Sequence, residues 1–460
     1  MPFPRKLACR QASGNLHPNG WHSVGQTEVD YGSKSGMTRA IDMQQIADLH
    51  IHSKYSRACS RDLTLPNIDR TCRIKGVDII ATGDFTFPAW WRDIKKLLEE
   101  TTFGSGLYKL KETGDDNVKF ILSTELALIY KKNDRVRRIH IVVHAPNIEA
   151  VEELNKFLDS KYNIKSDGRP ILGMPAEDLI NTCLAIHPQF LIYPAHIWTP
   201  WFSVFGSKSG FNSMEECFGD FTKNIYAYET GLSSDPEMNW RLSALDKLTL
   251  LSNSDAHSLP NIAREANIFD LKEATYKELY GAIKNKDIKK IKYTIEFYPE
   301  EGMYHYDGHR DCRVRFSPEE SKLHKNICPV CKKPLTIGVM NRVDELADRP
   351  MGFELKSLPG FIKLVELDKI IAESLGIKSR HSSKVQKEYN ALIERFGSEM
   401  DILIDRAVED LEQATLPKIA EGIRRVREGK LIIEPGFDGQ YGIIKIFDRE
   451  EAASQQSSLF

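Results

Sequence analysis

The chain has 460 residues, 41% of them hydrophobic and 28% charged, with 29 Gly and 21 Pro, a composition that excludes collagen-like, wholly disordered and coiled-coil chains. Its 63 Lys and Arg against 65 Asp and Glu give a formal charge of −2, so a polyanionic partner must be held by local basic patches rather than by the whole surface. Eight cysteines are too few for a disulfide scaffold and point to a reducing, cytoplasmic compartment; no run reaches the roughly 20 apolar residues of a membrane span, and the N-terminus lacks a secretory apolar core.

Residues 1–43 are rich in Gly, Ser, Asn and His without apolar periodicity, and read as a disordered extension or a misassigned start. From 46 to 270, short β-branched runs alternate with longer helical stretches. The runs include Val77-Asp78-Ile79-Ile80-Ala81, Phe120-Ile121-Leu122, Ile139-His140-Ile141-Val142-Val143, Phe190-Leu191-Ile192-Tyr193 and Leu248-Thr249-Leu250-Leu251. Near-continuous apolar strands separated by helices predict a parallel sheet covered on both sides, hence a barrel-like α/β domain over 44–300. In such a domain the site lies at the carboxyl ends of the strands. Its last stretch, 271–300, carries a basic cluster (Lys284, Lys286, Lys289, Lys290, Lys292), which is a candidate for phosphate contacts. A Cys/His module over 301–350 comes next, and then a mostly helical region over 351–448. That region carries apolar positions Tyr389, Leu392, Ile393, Phe396, Leu403, Val408 and Leu411, and ends in the turn Glu434-Pro435-Gly436-Phe437-Asp438-Gly439. Residues 449–460 form a tail.

The sharpest signal is Asp48-Leu49-His50-Ile51-His52-Ser53. On a strand, positions i and i+2 share a face, so both imidazoles can reach one point at the strand's end. A second such pair, Asp255-Ala256-His257, follows the apolar run 248–251. Asp84, Glu125, His140 and His196 sit on or just after other apolar runs. Imidazole with carboxylate is a ligand set for zinc, manganese or iron, and a site without thiolate keeps exchangeable positions for chemistry. His144 and His187 read as ordinary structural histidines.

His309-Arg310-Asp311-Cys312 and Cys328-Pro329-Val330-Cys331 form two x2 knuckles, the spacing that closes a tetrahedral structural zinc site. His305 competes with His309 for the fourth position. After His196 comes Trp198-Thr199-Pro200-Trp201-Phe202-Ser203-Val204-Phe205, whose aromatics Trp198, Trp201, Phe202 and Phe205 suit base stacking beside a metal site, or equally packing against the barrel.

The segments Asp-Leu-His-x-His-Ser-x-Tyr-Ser at 48–56, Gly83-Asp84, Glu125, His140, Pro-Ala-His at 194–196 and Ser-Asp-Ala-His at 254–257 resemble the polymerase and histidinol phosphatase (PHP) superfamily. That resemblance implies a distorted TIM-like barrel holding up to three divalent metals (Zn, Mn, Mg or Fe) that hydrolyse phosphoesters. Where the family usually has Thr-Asp-His this chain has Gly83-Asp84-Phe85, and a histidine often found after the first pair is Ala58, so the ligands for two metals are the better supplied. With the zinc module and Glu-Pro-Gly-Phe-Asp-Gly-x-Tyr-Gly at 434–442, nearly all of 46–447 resembles the endonuclease Q family. The resemblance implies a nick on the 5′ side of uracil, hypoxanthine, xanthine or an abasic site in DNA, with Asp255, His257 and Glu125 as catalytic groups. The terminal Gln456-Ser457-Ser458-Leu459-Phe460 is similar to the bacterial sliding-clamp pentapeptide Gln-Leu-Ser-Leu-Phe, with Gln456, Leu459 and Phe460 as anchors. Competing readings are a small-molecule phosphatase of the histidinol-phosphatase kind and a non-catalytic scaffold that binds DNA or a clamp.

Overall fold

A computed structural model describes residues 44–355 and 359–448. The expected extension over 1–43 and the clamp anchors Gln456, Leu459 and Phe460 lie outside the described residues.

The barrel is built from three arcs. The first is an eight-stranded sheet whose centre is Gln44–Asp48, flanked by Ile79–Ala81 on one side and Ala266–Asp270 on the other. The second joins Ile171–Leu172, Ser123–Lys132, Arg135–His144 and Leu191–Pro194. The third is the parallel pair Ala227–Glu229 and Thr249–Leu251. Ile51 bridges Ala256 and the Ser252 N–H donates to Asn267 Oδ1, which closes the ring.

The sheet is mixed rather than parallel. Gln44–Asp48 runs parallel to Ile79–Ala81 but antiparallel to Ala266–Asp270. The largest departure from expectation is the antiparallel hairpin Ser123–Lys132 with Arg135–His144, turned by Asn133 and Asp134 at φ +52° and +56°. Positive φ at both positions is the turn that matches strand twist. Most of the hairpin is buried on both faces, so no period-2 pattern announces its sense. His140 is therefore a mid-strand residue.

Helices Leu65–Lys75, Pro88–Leu97, Ile148–Lys161, Ala176–Ile186 and Tyr276–Lys284 cover the barrel. Their starts are locally encoded, by Pro in the first turn of the first two and by Asn147 and Thr275 caps on Ile148–Lys161 and Tyr276–Lys284. No described helix is long and apolar enough to cross a membrane, and the described cysteines are all free thiols.

The third region is tied into the barrel. Its strand Gly360–Lys363 pairs parallel with Ile291–Glu296, and Lys363 Nζ reaches Asp235 at 2.7 Å. Buried Lys75 and Glu399 pair at 3.2 Å across the same junction. Within the region, Leu367–Ser374 crosses Pro417–Arg427 at Gly422, where a Cβ would come within 2.9 Å of Ile370 and 3.0 Å of Ser374. A side chain there would crowd both neighbours.

A candidate metal centre at the strand ends

The chain turns sharply at the ends of the strands, and the turns carry the polar groups inward. Asp84 and Asp255 adopt φ +48° and +46°, each just past a strand. His50, His52, Glu125 and Asp255 place ligand atoms within 4.8 Å of one another, as do Glu125, His140 and His196. Glu125 belongs to both groups. Its Oε2 lies 3.2 Å from His52 Nε2 and 3.7 Å from His50 Nε2. Its Oε1 lies 2.7 Å from His140 Nδ1 and 3.2 Å from His196 Nε2. Asp255 Oδ1 completes the first group at 3.0 Å from His52 Nε2.

Burial at this point raises the cost of every unpaired polar atom. His50 Nε2, His52 Nε2 and Asp255 Oδ1 are nevertheless buried without a hydrogen-bond partner. All three aim into the first group, a donor set that fits a divalent cation. Burial pushes the Glu125 carboxyl up, but the charges of His140, Arg169 and His50 outweigh it and hold the group well below the usual carboxylate range. Burial also lowers His50, and Glu229 and Glu125 overcome it to keep that imidazole protonated. A divalent cation would displace this proton.

Two expected ligands stand one layer back. Asp84 is fully engaged: its Oδ1 meets His52 Nδ1 at 3.1 Å, while Oδ2 accepts from Ser53 N–H at 2.7 Å and from the Ser53 and Ser56 hydroxyls at 2.6 and 2.8 Å. It orients His52 rather than joining either group. His257 also lies outside both groups, with Nδ1 on the Asp255 carbonyl at 2.8 Å and its ring against His52 at 4.6 Å. His144 is a core residue on the Tyr193 hydroxyl at 3.0 Å, pushed down to about 3 by burial.

Two residues that the sequence did not single out complete the site. Arg169 Nη1 lies 2.9 Å from Glu125 Oε2 with its side chain 22% exposed. Fully buried Glu229 meets His50 Nδ1 at 3.0 Å. Glu229 does end a strand-like Tyr226-Ala227-Tyr228 run, a signal that could have found it; Arg169 sits in a loop and has none.

The aromatic segment divides. Trp198 and Phe205 are 1% and 2% exposed, packed on each other at 4.9 Å, with the Trp198 indole N–H donating to Asn239 Oδ1 at 2.8 Å. Their expected role against substrate is corrected to packing. Phe202, at φ +60°, covers the His140 ring at 4.6 Å. Trp201 is 42% exposed and meets Tyr304 edge-on at 5.6 Å. Arg342, from the helix Val339–Leu346 after the zinc segment, pins this loop by donating to the Phe205 and Phe211 carbonyls at 3.1 and 3.0 Å.

The basic cluster at 284–292 is largely neutralised at home. Lys290 pairs with Glu278 at 2.6 Å and Lys292 with Asp270 at 2.9 Å, Lys286 donates to the Asp246 carbonyl, and Lys284 lies over the Tyr226 and Tyr280 rings. In the Cys/His module, His309, Cys312, Cys328 and Cys331 converge within 4.8 Å, on a hairpin of Asp307–His309 with Val314–Phe316. His305 is buried elsewhere, stacked on Tyr306, so His309 is the histidine that converges with the three cysteines.

The family described as MJ0043 C-terminal domain matches residues 366–430. The protein MJ0043 of Methanocaldococcus jannaschii is 33% identical over 254 residues, 54% of this chain and 31% of that protein, so the match spans less than one third of that relative. The crystal structure of the lesion-specific endonuclease PfuEndoQ from Pyrococcus furiosus superposes at a TM-score of 0.77 with 32% identity, covering 90% of this chain and 99% of that one. A complex of endonuclease Q with a 27-mer duplex carrying an abasic lesion at the active site matches at 0.77 and 32%, covering 89% and 98%. The chain belongs to the endonuclease Q family.

Proposed function

We propose that this protein is a metal-dependent DNA endonuclease that hydrolyses the phosphodiester on the 5′ side of a deaminated base (uracil, hypoxanthine or xanthine) or an abasic site. The observation that carries the reading is Glu125, which offers one oxygen to each of two convergent ligand groups. The lesion-specific activity of PfuEndoQ and the abasic duplex held by endonuclease Q support it.

The residues present fit divalent metals, because three buried ligand atoms of the first group have no other partner. His50, His52, Glu125 and Asp255 would hold one, and Glu125, His140 and His196 another. Bound there, divalent cations lower the pKa of a water toward neutrality and neutralise phosphoryl charge. Asp255, which stands in the first group, orients the attacking water and accepts its proton. Arg169 is fixed by Glu125 and presents its exposed edge to a phosphate oxygen. Phe202 keeps water off the His140 ring. His309, Cys312, Cys328 and Cys331 would hold a structural zinc.

The test is incubation with duplexes carrying one uracil, hypoxanthine, xanthine, abasic or normal residue, with Mn²⁺, Mg²⁺ or Zn²⁺, and each cut mapped to the nucleotide. A nick on the 5′ side of the lesion, lost in Asp255→Asn, is expected. Hydrolysis of histidinol phosphate with no nicking under any metal would reject the reading in favour of a phosphatase. For the tail, docking of Leu459 and Phe460 on a bacterial sliding clamp is proposed from sequence alone. Deleting both should abolish clamp affinity in surface plasmon resonance, and unchanged affinity overturns that assignment.

A further inference from the structure

We propose that Glu229 is a positioning residue that couples the two ligand groups, so that metal affinity at both rises and falls with it. The inference rests on the reading of those groups as metal sites. Glu229 is fully buried at the end of Ala227–Glu229. Its carboxylate faces His50 Nδ1 with both oxygens, at 3.2 and 3.0 Å. The same Oε1 accepts the His196 N–H at 3.1 Å, and Oε2 accepts from Asn253 Nδ2 at 2.9 Å.

The grip on His196 is doubled, because the Glu229 carbonyl accepts the next N–H, that of Ile197, at 3.0 Å. His196 sits at φ +30°, and a Cβ on Gly231 would fall 2.3 Å from His196 Cβ. The turn after Glu229 therefore approaches His196 as closely as a glycine allows, while the Glu229 side chain and carbonyl hold the strained His196 backbone. His50 serves the first ligand group and His196 the second. One carboxylate thus fixes the ring of a ligand in one group and the main chain of a ligand in the other.

Asp84 provides the contrast. It holds His52 Nδ1 in the same manner, but His52 belongs to the first group alone. With both Nδ1 atoms occupied by carboxylates, the two Nε2 atoms are left aimed at Glu125 and Asp255. Carboxylates behind ligating imidazoles typically change metal affinity by about 10–100-fold.

The experiment is Mn²⁺ titration of metal-stripped protein, followed by electron paramagnetic resonance and calorimetry, with thermal midpoints as the folding control. Glu229→Ala should weaken both binding steps by about 10–100-fold. Asp84→Ala should weaken one, and His140→Ala should weaken the other. Glu229→Gln keeps the volume and one acceptor oxygen, and should weaken both by a smaller factor while retaining the wild-type midpoint. Imidazole ¹⁵N spectra of the stripped protein should show His50 changing tautomer or charge in both Glu229 variants. A folded Glu229→Gln with either step at wild-type affinity overturns the coupling. Wild-type protein that binds Mn²⁺ in two steps yet nicks no lesion duplex rejects the proposed activity and leaves the role of Glu229 standing.

Discussion

Arg169 touches the one carboxylate that both ligand groups share, its Nη1 lying 2.9 Å from Glu125 Oε2. A guanidinium among so many carboxylates stabilises Glu125 as an anion, and the part of its side chain left exposed is the proposed contact for a phosphate oxygen. Removing one donor from a developing oxyanion commonly costs about 10²–10³ in rate. Arg169→Ala is accordingly expected to lower single-turnover nicking by about that factor, with Arg169→Lys restoring part of it. Nicking by Arg169→Ala at the wild-type rate would remove the guanidinium from the reaction.

The Cys/His module has a structural job that is visible at the candidate metal centre. The helix Val339–Leu346 follows the Cys/His segment directly, and its Arg342 holds the loop that carries Trp201 and Phe202. A closed Cys₃His site is folding energy for a small module. Cys328→Ser is expected to release one zinc per chain, measured by a chromogenic chelator, and to lower the thermal midpoint. It should also reduce nicking, through loosening of the Arg342-held loop. Full zinc content in Cys328→Ser would exclude that cysteine as a ligand.

What was legible in the sequence follows from range. His50 and His52, or Asp255 beside His257, advertise themselves because a strand end displays neighbours in sequence as neighbours in space. Glu125, His140 and His196 were found because each sits on or just beyond an apolar run. Arg169 carries no such local mark, and Glu229, although it ends the run Tyr226-Ala227-Tyr228, gains its importance only once His50 is set against it. Asp84 and His257 fall outside both convergent groups, since spacing says that a side chain can reach a site but not which of its atoms are already hydrogen-bonded. The antiparallel hairpin at 123–144 was hidden for a related reason, its faces being buried alike.

The aromatic loop makes the same point in a form that mutagenesis separates. Trp198 is enclosed and Trp201 is 42% exposed, although the two are three residues apart in one apolar run. Trp198→Ala should empty a large core volume and cost about 3–5 kcal/mol of stability by chemical denaturation. Trp201→Ala should leave stability within about 1 kcal/mol while weakening abasic-duplex binding by about 1–3 kcal/mol, the worth of one stacked base. Equal effects of both substitutions on stability, with binding unchanged, would show Trp201 to be packing as well.

Stability should also carry a signature of the buried carboxyl pair behind the site. Glu296 and Glu265 are fully buried on adjoining strand ends. Burial first, and then the charge of Asp235, push Glu296 up to about 8 from 4.5, against the lowering effect of the Thr294 hydroxyl. Burial and the neighbouring Glu296 charge raise Glu265 as well. A carboxyl raised in the folded state is neutral there, so its contribution is fully present below the unfolded value of 4.5 and is lost as pH climbs through about 8. Within that window stability falls as pH rises. The thermal midpoint is therefore expected to fall between pH 5.5 and 9. Glu296→Gln, which keeps the shape and the neutral charge, should flatten the decline and be the more stable protein at pH 9. A decline of the same steepness in Glu296→Gln would place the titrating group elsewhere.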